Sequence, residues 1–241
     1  YGAWVALDAA RRGLRVLVLD QADFGHATSA NSQRIVHGGL RYLSNMEYGL
    51  VRESLRERRT MENIAPNFVY PCPMLFPHYR SQIKSNKWLL KIGLTLYDLL
   101  AFDKGRTWDA AKRIPNHTTL SPDAALQRQP VLKREELTGA SLFYDCLNIF
   151  PERLALAFIK SAMAHGAEIA NYAKVIGFLF DKKNGTVQGV TVKDRIHDMV
   201  HEVRAAVTIN CAGPWADSVL AMTGPQTSDR PLKRSEGIHI I

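Results

Sequence analysis

Between Ala27 and Leu43 the chain gathers groups that bind phosphates, nucleotides and anions: Thr28, Ser29, Ser32, His37, Gly38, Gly39, Arg41 and Tyr42. The hydroxyls and free backbone N–H groups of such a Ser-rich loop can satisfy the oxygens of a pyrophosphate or a ribose. Two consecutive glycines let main chain approach a flat ring that a Cβ would hold away. Arg41 presents a planar fork of N–H donors, suited to a phosphate or a carboxylate. His37 can contact a bound ring or substrate or accept a proton from it, and Tyr42 can hydrogen-bond a substrate. By itself, a His-Gly-Gly turn is also read as a structural loop with a capping histidine, and a single Arg as solvated surface.

A loop of this kind needs a frame. Gly2 to Arg12 carries Ala, Val and Leu at helical spacing, and Gly13 follows where a C-terminal glycine belongs. Val16 to Leu19 is a continuous apolar run that ends at Asp20. Such a run suits a parallel strand covered on both faces. Helix, glycine, strand and acid form the second half of a βαβ unit. Gly2 stands directly before the helix, and Asp20 follows it by eighteen residues. That is close to the ~20 expected between a phosphate-binding glycine and an acid that binds a ribose hydroxyl. A generic α/β pair has the same appearance.

The stretch from Ala27 to Leu43 closely resembles the flavin segment of the FAD-dependent glycerol-3-phosphate dehydrogenases. In that family a Thr-Ser, a Ser-rich loop and His-Gly-Gly-Leu-Arg-Tyr-Leu follow the acid-ended strand. The wider group is the D-amino-acid-oxidase-like flavoproteins. Gln33 and Arg34 stand where the family carries Ser and Lys. The resemblance extends to Asp145–Leu154, to Asn210–Ala216 and to Arg234–His239, and is weakest across residues 76–140. It implies FAD as cofactor, bound by Gly2, Asp20, Thr28, Ser29, Ser32, Gly38 and Gly39. It places Val175 where main chain meets the adenine edge. Ala212 and Gly213 are small enough for a strand end to approach the dinucleotide, and His239 falls beside the flavin. Arg41 is expected to hold the substrate phosphate, with Tyr42 near the reacting carbon and His37 as the candidate catalytic residue. No metal site is expected.

The fold expected is α/β: a discontinuous Rossmann-like FAD-binding domain with an inserted α+β substrate domain. Residues 1–65 form the first part of the FAD domain, without its first strand. Residues 66–147 form part of the substrate domain, and 148–222 return to the FAD domain. Residues 223–241 begin the rest of the substrate domain. A helix is expected over Tyr48–Ile64. Pro66, Pro71, Pro73 and Pro77 mark irregular or edge-strand structure. Further helices are expected over 86–101, after Ser121 and over Pro151–His165, with a strand at Leu142–Tyr144. Strands follow at Ile169–Tyr172, Val175–Phe180 and Val187–Val192, the last two joined by an Asn184-Gly185 turn. A final strand is expected over Val203–Cys211. Both ends read as cut, so these residues alone are expected to be inactive.

Composition adds boundaries. The 241 residues are 46% apolar and 22% charged, enough to bury a sizeable core. Lys and Arg number 31 against 23 Asp and Glu, a net charge of +8. The charge is dispersed, which points to solvated faces, a phosphorylated substrate or an anionic membrane surface rather than to nucleic acid. Cys72, Cys146 and Cys211 have no metal or redox spacing, and three cysteines suit a reducing compartment. The apolar stretch Trp88–Leu100 is interrupted by Lys91 and Asp98. It reads as a buried helix, or as an amphipathic surface that touches lipid.

The resemblance implies oxidation of sn-glycerol 3-phosphate to dihydroxyacetone phosphate, with hydride transfer to flavin and electrons passed on to a quinone. It suits a cytoplasmic protein peripheral on the inner face of the membrane, and leaves room for a homodimer. One alternative is another FAD oxidase of the same fold, acting on an amine or a 2-hydroxy acid. A second, of a different class, is a non-catalytic membrane-associated binding module. A nicotinamide enzyme is disfavoured, because the Ser-rich and His-Gly-Gly segments have no role in one.

Overall fold

The computed structural model describes residues 1–81, 87–224 and 232. It divides into two compact units, residues 1–33 with 151–241 and residues 34–150. The chain therefore leaves the first unit within the Ser-rich stretch and returns at Pro151. Position 65, the end of the first expected segment, lies inside the second unit.

In the first unit α1 (Gly2–Arg11) leads to β1 (Leu17–Leu19), which pairs in parallel with β6 (Glu168–Ala170). Alternation along these two strands sends successive side chains to opposite faces. Val16, Val18 and Ile169 pack on Ala6, Ala10, Ala162 and Ala167, the small-residue contact between α1 and α5 (Pro151–Ala164). Trp4 meets Phe158 edge-on at 4.8 Å across the two helices. Leu19 and Ala170 face the other way, onto Ala173, Val190 and Val192. Those residues belong to an antiparallel sheet of β7 (Ala173–Phe180), β8 (Val187–Asp194) and β9 (Val200–Arg204). The apolar run before Asp20 is thus covered by helices on one face and by a sheet on the other. This is a three-layered, Rossmann-like arrangement.

The β7–β8 turn closes as expected, with Gly185 at φ +70° and its N–H donating to the Asp181 carbonyl. Gly25, at φ +76°, is also required: a Cβ there would lie 3.1 Å from the Glu152 Cα. That close approach seats the loop after β1 on the start of α5.

The expected strand over Val203–Cys211 is corrected. β9 ends at Arg204, and residues 205–212 form no strand. Val207 and Ile209 alternate as a strand would, but they are 75% and 62% exposed and have no ladder partner among the described residues.

The second unit is built on β5 (Leu137–Asn148), which pairs antiparallel with β2 (Ile35–Val36), β3 (Val69–Tyr79) and β4 (Thr118–Leu120). Pro71, Pro73 and Pro77 share one parity along β3, so their missing N–H groups fall on a single side of that strand. The other side supplies the ladder to β5. α2 (Tyr48–Ile64) and α3 (Lys87–Leu100) form the helical side, with Val51, Leu55, Tyr97 and Ala101 as their shared core. Asp103 ties this side down, accepting from Arg52 at 2.6 Å and from Arg59 at 2.5 Å. Lys112 donates to the carbonyls of Pro66 and Val69, between α2 and β3. α4 (Pro122–Arg128) starts as its sequence predicts, with the Ala124 N–H donating to Ser121 Oγ and proline in the first turn.

Candidate flavin and substrate site

The expected site residues fall into the two units, with Gly2 to Ser32, Val175, Ala212 and Gly213 in the first and His37 to Tyr42 in the second. In the first unit Gly2 opens α1, whose N-terminus has no side-chain cap. Tyr1 at the N-cap position makes no side-chain bond to the first N–H groups, and N–H groups at such a helix start suit an anion. A Cβ on Gly2 would lie 3.3 Å from the Cys211 Cβ, so glycine lets the segment before Ala212 and Gly213 pass close to the helix start. Gly213 adopts φ +53° and begins a short 3-10 turn over Gly213–Trp215. Asn210 shapes this turn, accepting from the Ala212 N–H and donating to the Ala216 carbonyl.

Asp20 follows β1 directly. Its carboxylate accepts from the Ala22 N–H at 3.1 Å and lies 3.7 Å from His26 Nδ1. It remains partly exposed, which suits an acid that hydrogen-bonds a ribose diol. Thr28, Ser29 and Ser32 lie exposed in the turns that follow. Ala27, at φ 54°, accepts from the Asn31 N–H and side-chain amide and so closes this loop. Val175 packs beside Leu19 and Ala170, and the β7–β8 register shifts immediately after it. A bulge of that kind leaves main-chain groups outside the ladder. An uncapped helix start, an acid after the strand, exposed hydroxyls and a bulged strand are the groups that the adenosine diphosphate part of FAD requires. The first unit therefore fits that group. His239 lies outside the described residues.

In the second unit β2 pairs Ile35 with Leu147 and Val36 with Cys146, and the ladder then stops. The chain leaves the sheet at His37. The Gly38 N–H donates to Asp145 Oδ1 at 2.9 Å instead of to a strand. The same oxygen accepts from Tyr97 Oη at 2.8 Å and from Arg58 Nη1 at 2.6 Å. Arg58, Tyr97 and Asp145 are all buried, so the turn is held from behind by a desolvated polar cluster. Burial, reinforced by the charge of Asp145, pushes the Tyr97 hydroxyl far above its ordinary range, so Tyr97 is the donor in this bond.

Gly39 takes a left-handed conformation at φ +77° and starts the 3-10 helix Leu40–Asn45. That helix packs Leu40, Tyr42 and Leu43 onto the α2–α3 core. His37 and Arg41 are exposed, and the His37 and Tyr42 rings meet edge-on at 6.0 Å. An exposed imidazole and an exposed guanidinium thus stand close in sequence on this turn and the helix it starts, with a half-buried phenol against the imidazole.

Sequence reasoning overlooked Arg58, Tyr97 and Asp145 as the support of this turn. The available signal was their type: a charged pair and a phenol at otherwise apolar positions of two helices and a strand. The glycines also receive a reason beyond the one first expected. A Cβ on Gly38 would sit 2.0 Å from Tyr97 Oη, and one on Gly39 would sit 2.7 Å from Tyr42 Cδ2. Among the described residues no group of three or more His, Cys, Asp or Glu side chains could hold a metal ion.

Known proteins resemble the chain along its length. It is 38% identical over 241 residues to an alpha-glycerophosphate oxidase of Streptococcus pneumoniae, aligning all of this chain with 38% of that protein. It is 35% identical over 248 residues to a glycerol-3-phosphate dehydrogenase of Synechocystis, here covering 43% of the relative. The chain thus spans well under half the length of these relatives. A solved glycerol-3-phosphate dehydrogenase of Bacillus halodurans, complexed with FAD, superposes at a TM-score of 0.64 and 28% identity, over 92% of this chain and 34% of that one. The family described as FAD dependent oxidoreductase (DAO) matches residues 1–241. The chain belongs to the DAO family of FAD-dependent oxidoreductases.

Proposed function

We propose that the full protein oxidises sn-glycerol 3-phosphate to dihydroxyacetone phosphate, and that this chain supplies most of its FAD site and part of its substrate site. The observation that carries the reading is the clamped turn with the exposed His37 and Arg41, and with the half-buried Tyr42 against the His37 ring. Relatives named for glycerol phosphate chemistry support it. When bound, FAD accepts the two electrons and the hydrogen that leave carbon 2.

Arg41 holds the substrate phosphate through two N–H donors, which fixes the reacting carbon relative to the turn. His37 takes the proton of the carbon 2 hydroxyl as the carbonyl forms. Tyr42 donates a hydrogen bond to the substrate and orients His37 through their edge-on contact. Gly2, Asp20, Thr28, Ser29, Ser32, Val175, Ala212 and Gly213 bind the nucleotide part of the cofactor.

Electrons then leave for a quinone at a membrane. The outer face of α3 supports this part of the reading. Trp88, Leu89, Ile92 and Leu99 are exposed there, and the Lys91 ammonium lies 5.8 Å over the Trp88 ring. Such a face suits the headgroup region of an anionic bilayer. Among the described residues no helix is long and apolar enough to cross a membrane. The relative named as an oxidase favours a second reading, with the same substrate but dioxygen as electron acceptor.

The test is a comparison of substrates and acceptors on the purified full-length protein. Glycerol 3-phosphate is expected to be turned over, and glycine-like amines and 2-hydroxyglutarate are not. The reverse preference overturns the substrate. Quinone reduction without peroxide formation supports the first acceptor, and oxygen uptake with peroxide supports the second. A colourless full-length protein without flavin overturns both and favours a binding module.

A further inference from the structure

Three elements converge behind the His37–Gly39 turn. β5 contributes Asp145, α2 contributes Arg58 and α3 contributes Tyr97. One carboxylate oxygen, Asp145 Oδ1, receives the Gly38 N–H, the Tyr97 hydroxyl and an Arg58 N–H. Arg58 also donates to the Tyr144 carbonyl at 3.2 Å, which fixes it against β5. Arg58, Tyr97 and Asp145 are 2–5% exposed and Gly38 is buried, so water does not replace a lost partner.

Register explains why a side chain is needed here. Ile35 and Val36 face Leu147 and Cys146, so His37 would next face Asp145. The strand stops there, and the Asp145 carboxylate captures the following N–H. Arg41 has a different support, because the 3-10 helix that carries it is seated by Leu40, Tyr42 and Leu43 on the α2–α3 core.

We propose that Asp145 is the positioning residue for His37: its carboxylate, tied to Arg58 and Tyr97, fixes the turn from which the imidazole projects. This rests on the roles proposed above for His37 and Arg41. It carries a specific consequence for kinetics. Disturbing Asp145 misplaces the proton acceptor while the phosphate ligand stays seated, so turnover falls and substrate affinity holds.

The test uses the full-length flavoprotein with Asp145→Asn and Tyr97→Phe beside wild type. Amide hydrogen exchange is followed over residues 35–43, with residues 187–194 as an internal reference. In Asp145→Asn the acceptor oxygen remains but loses the charge that strengthens the Gly38 bond, and exchange over 35–43 is expected to rise about tenfold. The reference peptide and the flavin content stay unchanged. With glycerol 3-phosphate, kcat is expected to fall roughly 10- to 100-fold while KM stays within about threefold. Wild-type exchange over 35–43 overturns the proposal, as does a loss carried by KM alone. If Asp145→Asn does not fold, Tyr97→Phe decides: about threefold faster exchange over 35–43 supports the proposal, and wild-type exchange overturns it. A wild-type enzyme inactive on glycerol 3-phosphate refutes the substrate reading, and the exchange measurement still decides the role of Asp145.

Discussion

Gly38 and Tyr97 are packed so closely that a single added methyl has no room: its Cβ would stand 2.0 Å from the Tyr97 hydroxyl and 2.4 Å from Leu55 Cδ2. The hydroxyl is buried and bonded to Asp145, so it cannot swing aside cheaply. Gly38→Ala is expected to cost about 1–3 kcal/mol through overpacking, read as a lower Tm. Adding Tyr97→Phe removes the clashing oxygen and should recover part of that loss. A melting point equal to wild type for Gly38→Ala alone would show that the turn has slack.

Gly189 offers a sharper case, because its obstacle is main chain. Its φ is +148°, and a Cβ would lie 2.1 Å from the Val203 carbonyl oxygen. Gly189→Ala must therefore part β8 from β9. A loss of about 2–4 kcal/mol is expected from strain and clash together, measured as a lower urea midpoint.

Asp103 makes the α2–α3 side sensitive to acid. The hydrogen bond from Arg52 holds its carboxyl below the ordinary value of 3.8 against the opposing effect of burial, helped by the charges of Arg52 and Arg59. The sign follows from the direction. The folded state binds the proton more weakly than the unfolded state does, so this stability is complete above the ordinary carboxylate range. It is lost as pH falls through the lower folded value. Unfolding free energy measured against pH should show that decline in wild type and a shallower one in Asp103→Asn.

Glu62 works in the opposite direction. Burial raises its carboxyl above 4.5, although the Cys146 thiol and the charges of Arg58 and Lys112 pull it down. The folded state then prefers the protonated form, and wild-type stability falls as pH rises from 4.5 through the raised value. Glu62→Gln removes that slope. Above this window the variant is expected to be at least as stable as wild type. A variant less stable than wild type at pH 8 would show that the ionised form is needed.

Arg41→Ala in the full-length enzyme tests the phosphate ligand. Losing a charge-assisted hydrogen-bond pair costs about 1.5–3 kcal/mol, which is roughly a 10- to 100-fold rise in KM for glycerol 3-phosphate. Flavin content should not change. An unaltered KM would assign the phosphate to another residue.

Periodicity made much of this fold legible. α1, α2, α3 and α5 lie within a residue or two of their expected limits, because each carries an apolar stripe and a recognisable start or stop. β5 was legible only at Leu142–Tyr144 although it runs from Leu137 to Asn148. Its buried residues include Ser141, Asp145 and Asn148, which break the apolar pattern that marks a strand. Val207 and Ile209 show the converse, a strand-like alternation without a ladder among the described residues. At the candidate site, the residues on display were legible by type and spacing. Their support was not: Gly38 and Asp145 are 107 positions apart, and only the register of β2 on β5 brings them together.

The prolines of β3 bear on how this protein behaves in a crowd. With the donors of Pro71, Pro73 and Pro77 deleted from one border of the strand, an incoming chain finds a broken template there. Fibre growth by stacking one copy onto the next is thereby obstructed along that border. Restoring the three N–H groups, for example with threonine, would be expected to open a route to cross-β polymer.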